Sequence, residues 1–334
     1  MFMKRTFYAS ILVLAAALAA HAQQGRGAAT TAAPAPLPLP ASDGVVLVEL
    51  RRLLTEAVPG AVGGDKARLA QVNADVEQFK ARTGIDARDF DTVAVGARAV
   101  QLDSGATKVD NVVAVARGRF RPDAVATAAR AASKGALTEQ PYGGKTLLVL
   151  PINDRLKVFG LAKMKVSEFA IAVLDANTLA VGDPAAVRSA VDAQAGRGRI
   201  DPALLSLARG AGGELVAFAG NVPAFAVQGL DIGMPEVERS IASIRGFYGS
   251  LGATRGGYQM TTVLRTASAA DGKQLLNTLN ALRSIAPGLV SMAGDRAKFA
   301  KGAVDNLKIT AQGNEVRLQT ELSQPDVAAL IRTL

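Results

Sequence analysis

The chain of 334 residues contains no cysteine, no tryptophan and a single histidine, His21. That composition leaves neither a thiol nor, beyond the N-terminal segment, an imidazole, so it excludes Cys and His nucleophiles, a Ser-His-Asp relay, a zinc site of the usual ligands and a disulfide framework. Hydrophobic residues at 49% against 20% charged describe a chain that folds, and a formal net charge of +9 favours anionic partners.

Lys4 and Arg5, the uncharged apolar run from Phe7 to Ala20 and the small residues flanking His21 read as a secretory signal, cleaved after Ala22. The run is shorter than the roughly 20 apolar residues that span a bilayer. The expectation is an exported protein, periplasmic or secreted, that does not span the membrane after cleavage. Residues 23–41, with Pro34, Pro36, Pro38 and Pro40 alternating, read as a disordered linker of polyproline character.

Two stretches then follow one plan, which sets the expected boundaries at 42–200 and 201–334. The first opens on the strand-like Gly44 to Leu50. A helix is predicted over Lys66 to Thr83 from Leu69, Val72, Val76 and Phe79 at helical spacing. Strands are predicted at Thr92–Ala99 and Asn111–Phe120, a helix from Pro122, and an extra strand at Lys145–Leu150. A hairpin then turns at Asp175-Ala176-Asn177, and a helix starts with Asp183 as N-cap and Pro184 at its first position. A short helix opened by Asp201-Pro202 joins the stretches. The second stretch reads strand Glu214–Gly220, helix Pro235–Ile244, and strands Ile244–Ala253 and Gly257–Thr266. A helix from Ser268 with Asp271 as its capping acid is interrupted at Pro287-Gly288. A hairpin turning at Gln312-Gly313-Asn314 and a last helix after Ser323 complete it. The expected class is α+β: two similar halves, each a largely antiparallel sheet with helices on one face.

The segments Gly84-Ile85-Asp86-Ala87-Arg88-Asp89-Phe90-Asp91 and Leu174 to Asp183 resemble those of exported bacterial proteins of unknown function with duplicated α+β halves of ferredoxin-like character. The resemblance implies a fold and a compartment, and it carries no active site to transfer.

Motifs of chemistry are sparse. Gly143-Gly144-Lys145-Thr146 ends like a phosphate-binding loop, but Glu139 stands where the first glycine is needed and a strand follows instead of a helix. Asp86, Asp89 and Asp91 fail the alternate register of a calcium loop and read as turn and capping residues. Arg117, Arg119 and Arg121 alternate, which on a strand aligns three guanidinium groups as a candidate anion-binding face, extended by Arg98, Arg255 and Arg265. No catalytic, metal or cofactor-binding residues are expected. The expected role is a non-enzymatic binding or scaffolding module of the envelope. Its expected partners are anionic envelope components or another envelope protein, with no nucleic acid. The alternatives are a carrier of a lipid or other apolar ligand between the halves, and a hydrolase using carboxylates or Ser/Lys.

Overall fold

The computed structural model describes residues 37–327 apart from 63–64, 84–85, 106, 134, 152–154, 159–161, 166–167, 211–212, 228–232, 255 and 293–297. The signal segment expected at 1–22 and most of the expected linker therefore lie outside the described residues. The chain begins with β1 (Gly44–Val48), helical turns at Leu50–Arg52, Leu53–Ala57 and Val58–Val62, α1 (Lys66–Thr83), β2 (Phe90–Gln101), β3 (Thr107–Gly118) and α2 (Pro122–Ala132). It continues through β4 (Thr138–Tyr142), β5 (Lys145–Pro151), β6 (Arg155–Val158), β7 (Ala162–Lys165), β8 (Glu168–Asp175), β9 (Thr178–Gly182), α3 (Pro184–Gln194) and α4 (Pro202–Arg209). Then come β10 (Val216–Asn221), α5 (Ala224–Val227), α6 (Pro235–Ala242), β11 (Ile244–Ala253), β12 (Gly257–Thr266), α7 (Ala269–Met292), α8 (Lys298–Asp305), β13 (Lys308–Gln312) and β14 (Glu315–Ser323).

Twelve of these strands form one sheet in the order β13-β14-β12-β11-β10-β1-β2-β3-β9-β8-β5-β4, while β6 and β7 form a separate two-stranded sheet among the described residues. Every pairing is antiparallel. The α+β class holds. The ferredoxin-like arrangement does not, because β1, β2 and β3 are neighbours in the sheet as well as in sequence, whereas that fold splits a parallel strand pair around a third strand.

Outward from β1 the strands run β2, β3, β9, β8, and outward from β10 they run β11, β12, β14, β13. The register slips by one residue between Phe90 and Thr92 where β2 meets β3, and between Ile244 and Gly246 where β11 meets β12. Beyond those slips the Gly118 N–H donates to the Asn177 carbonyl at 3.0 Å, and the Thr266 N–H to the Asn314 carbonyl at 2.8 Å. The residue that follows each strand donates in the other direction: the Arg119 N–H to the Asp89 carbonyl at 2.8 Å, and the Ala267 N–H to the Ser243 carbonyl at 3.0 Å.

Helices cover both faces around the first group of strands, not one as expected. Strand alternation explains why: β3 buries Val113 and Val115 on one face and Ala116 on the other. Val125 and Ala129 of α2 and Val76 of α1 pack with Ala116, Leu148 and Ile171. Ala186, Val187 and Ala190 of α3 and Leu204 and Ala208 of α4 pack with Val113, Val115 and Ala172 on the opposite face. The small alanines of α3 let its backbone approach the sheet closely. In the second group of strands, Leu275 of α7 packs against Leu264 and Val316.

Local chemistry sets most element ends. Pro occupies the first turn of α2, α3, α4 and α6, where its missing N–H is one the helix leaves unbonded anyway. At α7 the Ser268 hydroxyl accepts the Asp271 N–H at 3.1 Å, as the capping box predicts, while the Asp271 carboxylate accepts the Ser268 hydroxyl at 2.6 Å in place of the Ser268 backbone N–H. The turn joining β4 to β5 places Gly143 and Gly144 at φ of 56° and 75°, the pair of positive angles that a type I′ hairpin turn requires. The Gly-Lys-Thr string is therefore a hairpin corner.

Two expectations need correction here. The α7 helix continues through Pro287 to Met292: the proline removes one backbone donor, but the packing of α7 on β13, β14 and α8 remains. The linker expected to end at Ala41 is tied down by its last residues. Leu39 is fully buried, the Ala41 N–H donates to the Gly198 carbonyl at 2.7 Å, and the Ile200 N–H donates to the Leu39 carbonyl at 3.0 Å. This strap lies flat on the sheet because Gly96 beneath it has no side chain; a Cβ there would stand 2.5 Å from the Ser42 hydroxyl oxygen.

Candidate functional site: a cleft beside the strap

An open cleft of about 360 Å³ lies where the strap, α3 and the outer part of β2 and β3 meet, lined by Pro40, Ala41, Arg98, Asn111, Ala186, Ser189, Asp192, Arg197 and Gly198. Three pieces of local structure build it. Pro40 and Ala41 are held as one wall by the bonds to Gly198 and Ile200. Ala186, Ser189 and Asp192, spaced by three, stand on one face of α3. Arg98 and Asn111 come from a second irregularity in the pairing of β2 with β3, between Gly96 and Arg98.

That irregularity is a β-bulge. Val113 faces Gly96 and Asp110 faces Arg98, so Asn111 and Val112 together oppose Ala97. Asn111 takes a φ of 53°, the only non-glycine residue in the left-handed region among the described residues, and asparagine is one of the few side chains that tolerate it. Two aspartates hold the bulge in place. The Asp183 carboxylate accepts the Val112 N–H at 2.9 Å, and the Asp183 N–H donates to the Val112 carbonyl at 3.0 Å. The Asp43 carboxylate accepts the Ala99 N–H at 2.9 Å. Asp183 thus precedes α3 as expected, but its side chain secures the bulge instead of capping the helix.

Asp192 carries the negative charge of the cleft, and both of its oxygens are engaged. Arg197 donates to one at 2.5 Å and the Tyr142 hydroxyl to the other at 2.8 Å. The Arg197 bond and then the Tyr142 bond hold the carboxyl below its ordinary pKa, and the same bond to Asp192 pushes the Tyr142 hydroxyl up. Asp192 is therefore a fixed anion at neutral pH. A general acid needs the opposite perturbation.

The arginines singled out by alternation do not share a strand face, because β3 ends at Gly118. Arg117 is on β3 and half-buried. Burial pushes the Asp175 carboxyl up, but bonds from Asn177, Thr178 and Gln194 and the charge of Arg117 outweigh it and leave that carboxyl lowered. Arg119 is exposed in the connection, and Arg121 is the residue preceding α2. Arg265 pairs with Glu315 at 3.4 Å, Arg98 lines the cleft, and Arg255 lies outside the described residues. Asp86 caps the short helix Ala87–Asp89, and Asp91 pairs with Arg51 at 2.8 Å. Among the described residues no group of three or more His, Asp or Glu side chains could hold a metal ion.

No family model matches the chain, and no curated protein matches it. Solved structures similar to it include crystal forms I and III of the Treponema protein TP0453. Form I is 10% identical with a TM-score of 0.47, covering 91% of this chain and 99% of that one. Form III is 11% identical with a TM-score of 0.48, covering 91% of this chain and 100% of that one. Among the described residues no helix is long and apolar enough to cross a membrane.

Sequence reading missed the cleft because its residues are scattered from Pro40 to Gly198. The one local signal, Asn111 beside Asp110 in an otherwise β-branched run, marks an interruption in a strand without saying what faces it.

Proposed function

We propose that this chain is an exported protein of the cell envelope that acts by binding rather than by catalysis, and that the cleft beside the strap is its ligand site. The observation that carries the reading is the lining of the cleft. It offers guanidinium, amide and hydroxyl groups from Arg98, Arg197, Asn111 and Ser189, while its one carboxylate is held ionised by its neighbours. Such a surface recognises a polar solute without supplying a proton donor for hydrolysis. Its size lies at the lower end of ordinary small-molecule sites, roughly 300–1,000 Å³.

We further propose that the two groups of strands are repeats of one unit, related by an approximate two-fold axis between β1 and β10. The common strand order, the matching register slips and the paired bonds at Gly118–Asn177 and Thr266–Asn314 support it. The first unit differs by inserting β4 to β7 after α2.

Native mass spectrometry of the full chain, gently isolated from its own cell envelope, tests the binding role. The expected spectrum shows the chain with a small polar molecule that is released on denaturation. A bare chain would contradict the binding reading, and an adduct of lipid mass would favour the apolar carrier.

A further inference from the structure

The charges around the cleft indicate which class of ligand it takes. Asp43 is bound to the Ala99 N–H, Asp183 to the Val112 N–H, and Asp110 to the Lys108 ammonium at 2.9 Å. Asp192 is bound to Arg197 and Tyr142. Every carboxylate bordering the bulge or the cleft therefore has its partner. Arg98 is exposed and makes no ion pair or side-chain hydrogen bond among the described residues. By strand alternation it shares a face with Ala94 and Gly96, the face that the strap and α3 cover. Arg197 spends one donor on Asp192, and a guanidinium has five.

We propose that the cleft binds a small solute through an oxyanion, carboxylate or phosphate, gripped by the planar donor fork of Arg98, with Arg197 and Asn111 as further donors; the Ser189 hydroxyl donates to the Ala185 carbonyl at 3.1 Å and lines the cleft without a proton to spare. The proposal rests on the binding role given above and names its ligand class. Arginine suits this task because two parallel N–H groups match two oxygens of either anion. The left-handed Asn111 fits the same picture. The bulge turns the end of β2 and β3 at the cleft, and backbone held in such a conformation persists where the surrounding structure fixes it, commonly at ligand sites.

The test is calorimetric titration of the full chain with inorganic phosphate and with citrate, repeated on Arg98→Gln and Arg119→Gln. Vesicles of phosphatidylglycerol and of phosphatidylcholine form a second arm, separating a free anion from a lipid headgroup. The expected result is saturable binding of one phosphate or citrate per chain. Arg98→Gln should weaken it about tenfold or more, since a charge-assisted bond is lost, and Arg119→Gln should leave it unchanged. Arg98 has no structural partner among the described residues, so the melting temperature of Arg98→Gln without ligand should match that of the parent. Binding that survives Arg98→Gln, or no binding of either anion or of phosphatidylglycerol vesicles, would overturn the proposal. In the latter case a neutral or cationic adduct in the native mass spectrum would leave the binding role standing and refute only the ligand class.

Discussion

Asp86 joins α1 to the start of β2 through charge. Its carboxylate accepts the Arg88 backbone N–H at 3.0 Å and two guanidinium bonds at 2.8 Å, and the Lys80 ammonium stands 3.0 Å away. The same guanidinium reaches Glu77 on α1 at 2.5 Å. The bonds from Arg88 hold the Asp86 carboxyl far below the usual carboxylate range, against a burial that opposes them. Because the folded pKa lies under the unfolded value of about 3.9, the stabilisation is complete above that pH and fades as pH falls toward the folded value. Asp86→Asn should therefore cost about 1–2 kcal/mol at pH 7, the difference between charged and neutral hydrogen bonds to Arg88 and Lys80, since an asparagine oxygen can still cap the short helix. The gap between parent and variant should narrow below about pH 4. Urea unfolding of both proteins at pH 7, 4 and 2.5 measures it, and a gap constant across those values would contradict this account of the cluster.

At the scale of elements, the strap departs furthest from a reading of composition. Alternating prolines predict an extended chain, whereas the Leu39 N–H donates to the Leu37 carbonyl at 2.8 Å in a tight turn and the chain bends at Ala41; composition does not say that Gly96 leaves room on the sheet for such a segment. Leu39, with no exposed surface, packs in the cluster with Val45, Ala94 and Ile200. Leu39→Ala should cost about 2–5 kcal/mol, as for any buried leucine, and a chemical unfolding curve displaced by less than about 0.5 kcal/mol would return the segment to linker status. Other elements were legible because their signals are local. Ser268 accepts the Asp271 N–H as its capping box predicts, and Lys66–Thr83 is helical to the residue. The long hairpin turning at Gly313 pairs as its alternation predicts. The run of helical turns over residues 50–62 has no comparable signal, since Pro59 and Gly60 sit within it. β4 was missed for a similar reason, with Pro141 inside an edge strand that only five residues define.

At the scale of the molecule, the order of elements and the cleft were unequally accessible. The order of elements in the two stretches follows from periodicity, and periodicity is written in each stretch separately. Which face each helix takes is not, because α3 and α2 have similar alanine-rich sequences yet pack on opposite sides of one sheet. The cleft depends on that choice: it exists only because α3 and the strap lie on the same side as Arg98. A basic run chosen by spacing alone, Arg117 to Arg121, lacked this information, and Arg117 is engaged near Asp175.

The most direct measurement of the central claim is a residue-by-residue NMR titration of the isotope-labelled full chain with sodium phosphate. The account predicts saturable shifts concentrated in the amides of Ala41, Arg98, Asn111, Ser189, Asp192 and Arg197, with those of Arg119 and Arg121 unmoved. Shifts centred on residues 117–121, or spread over the surface without saturating, would contradict it.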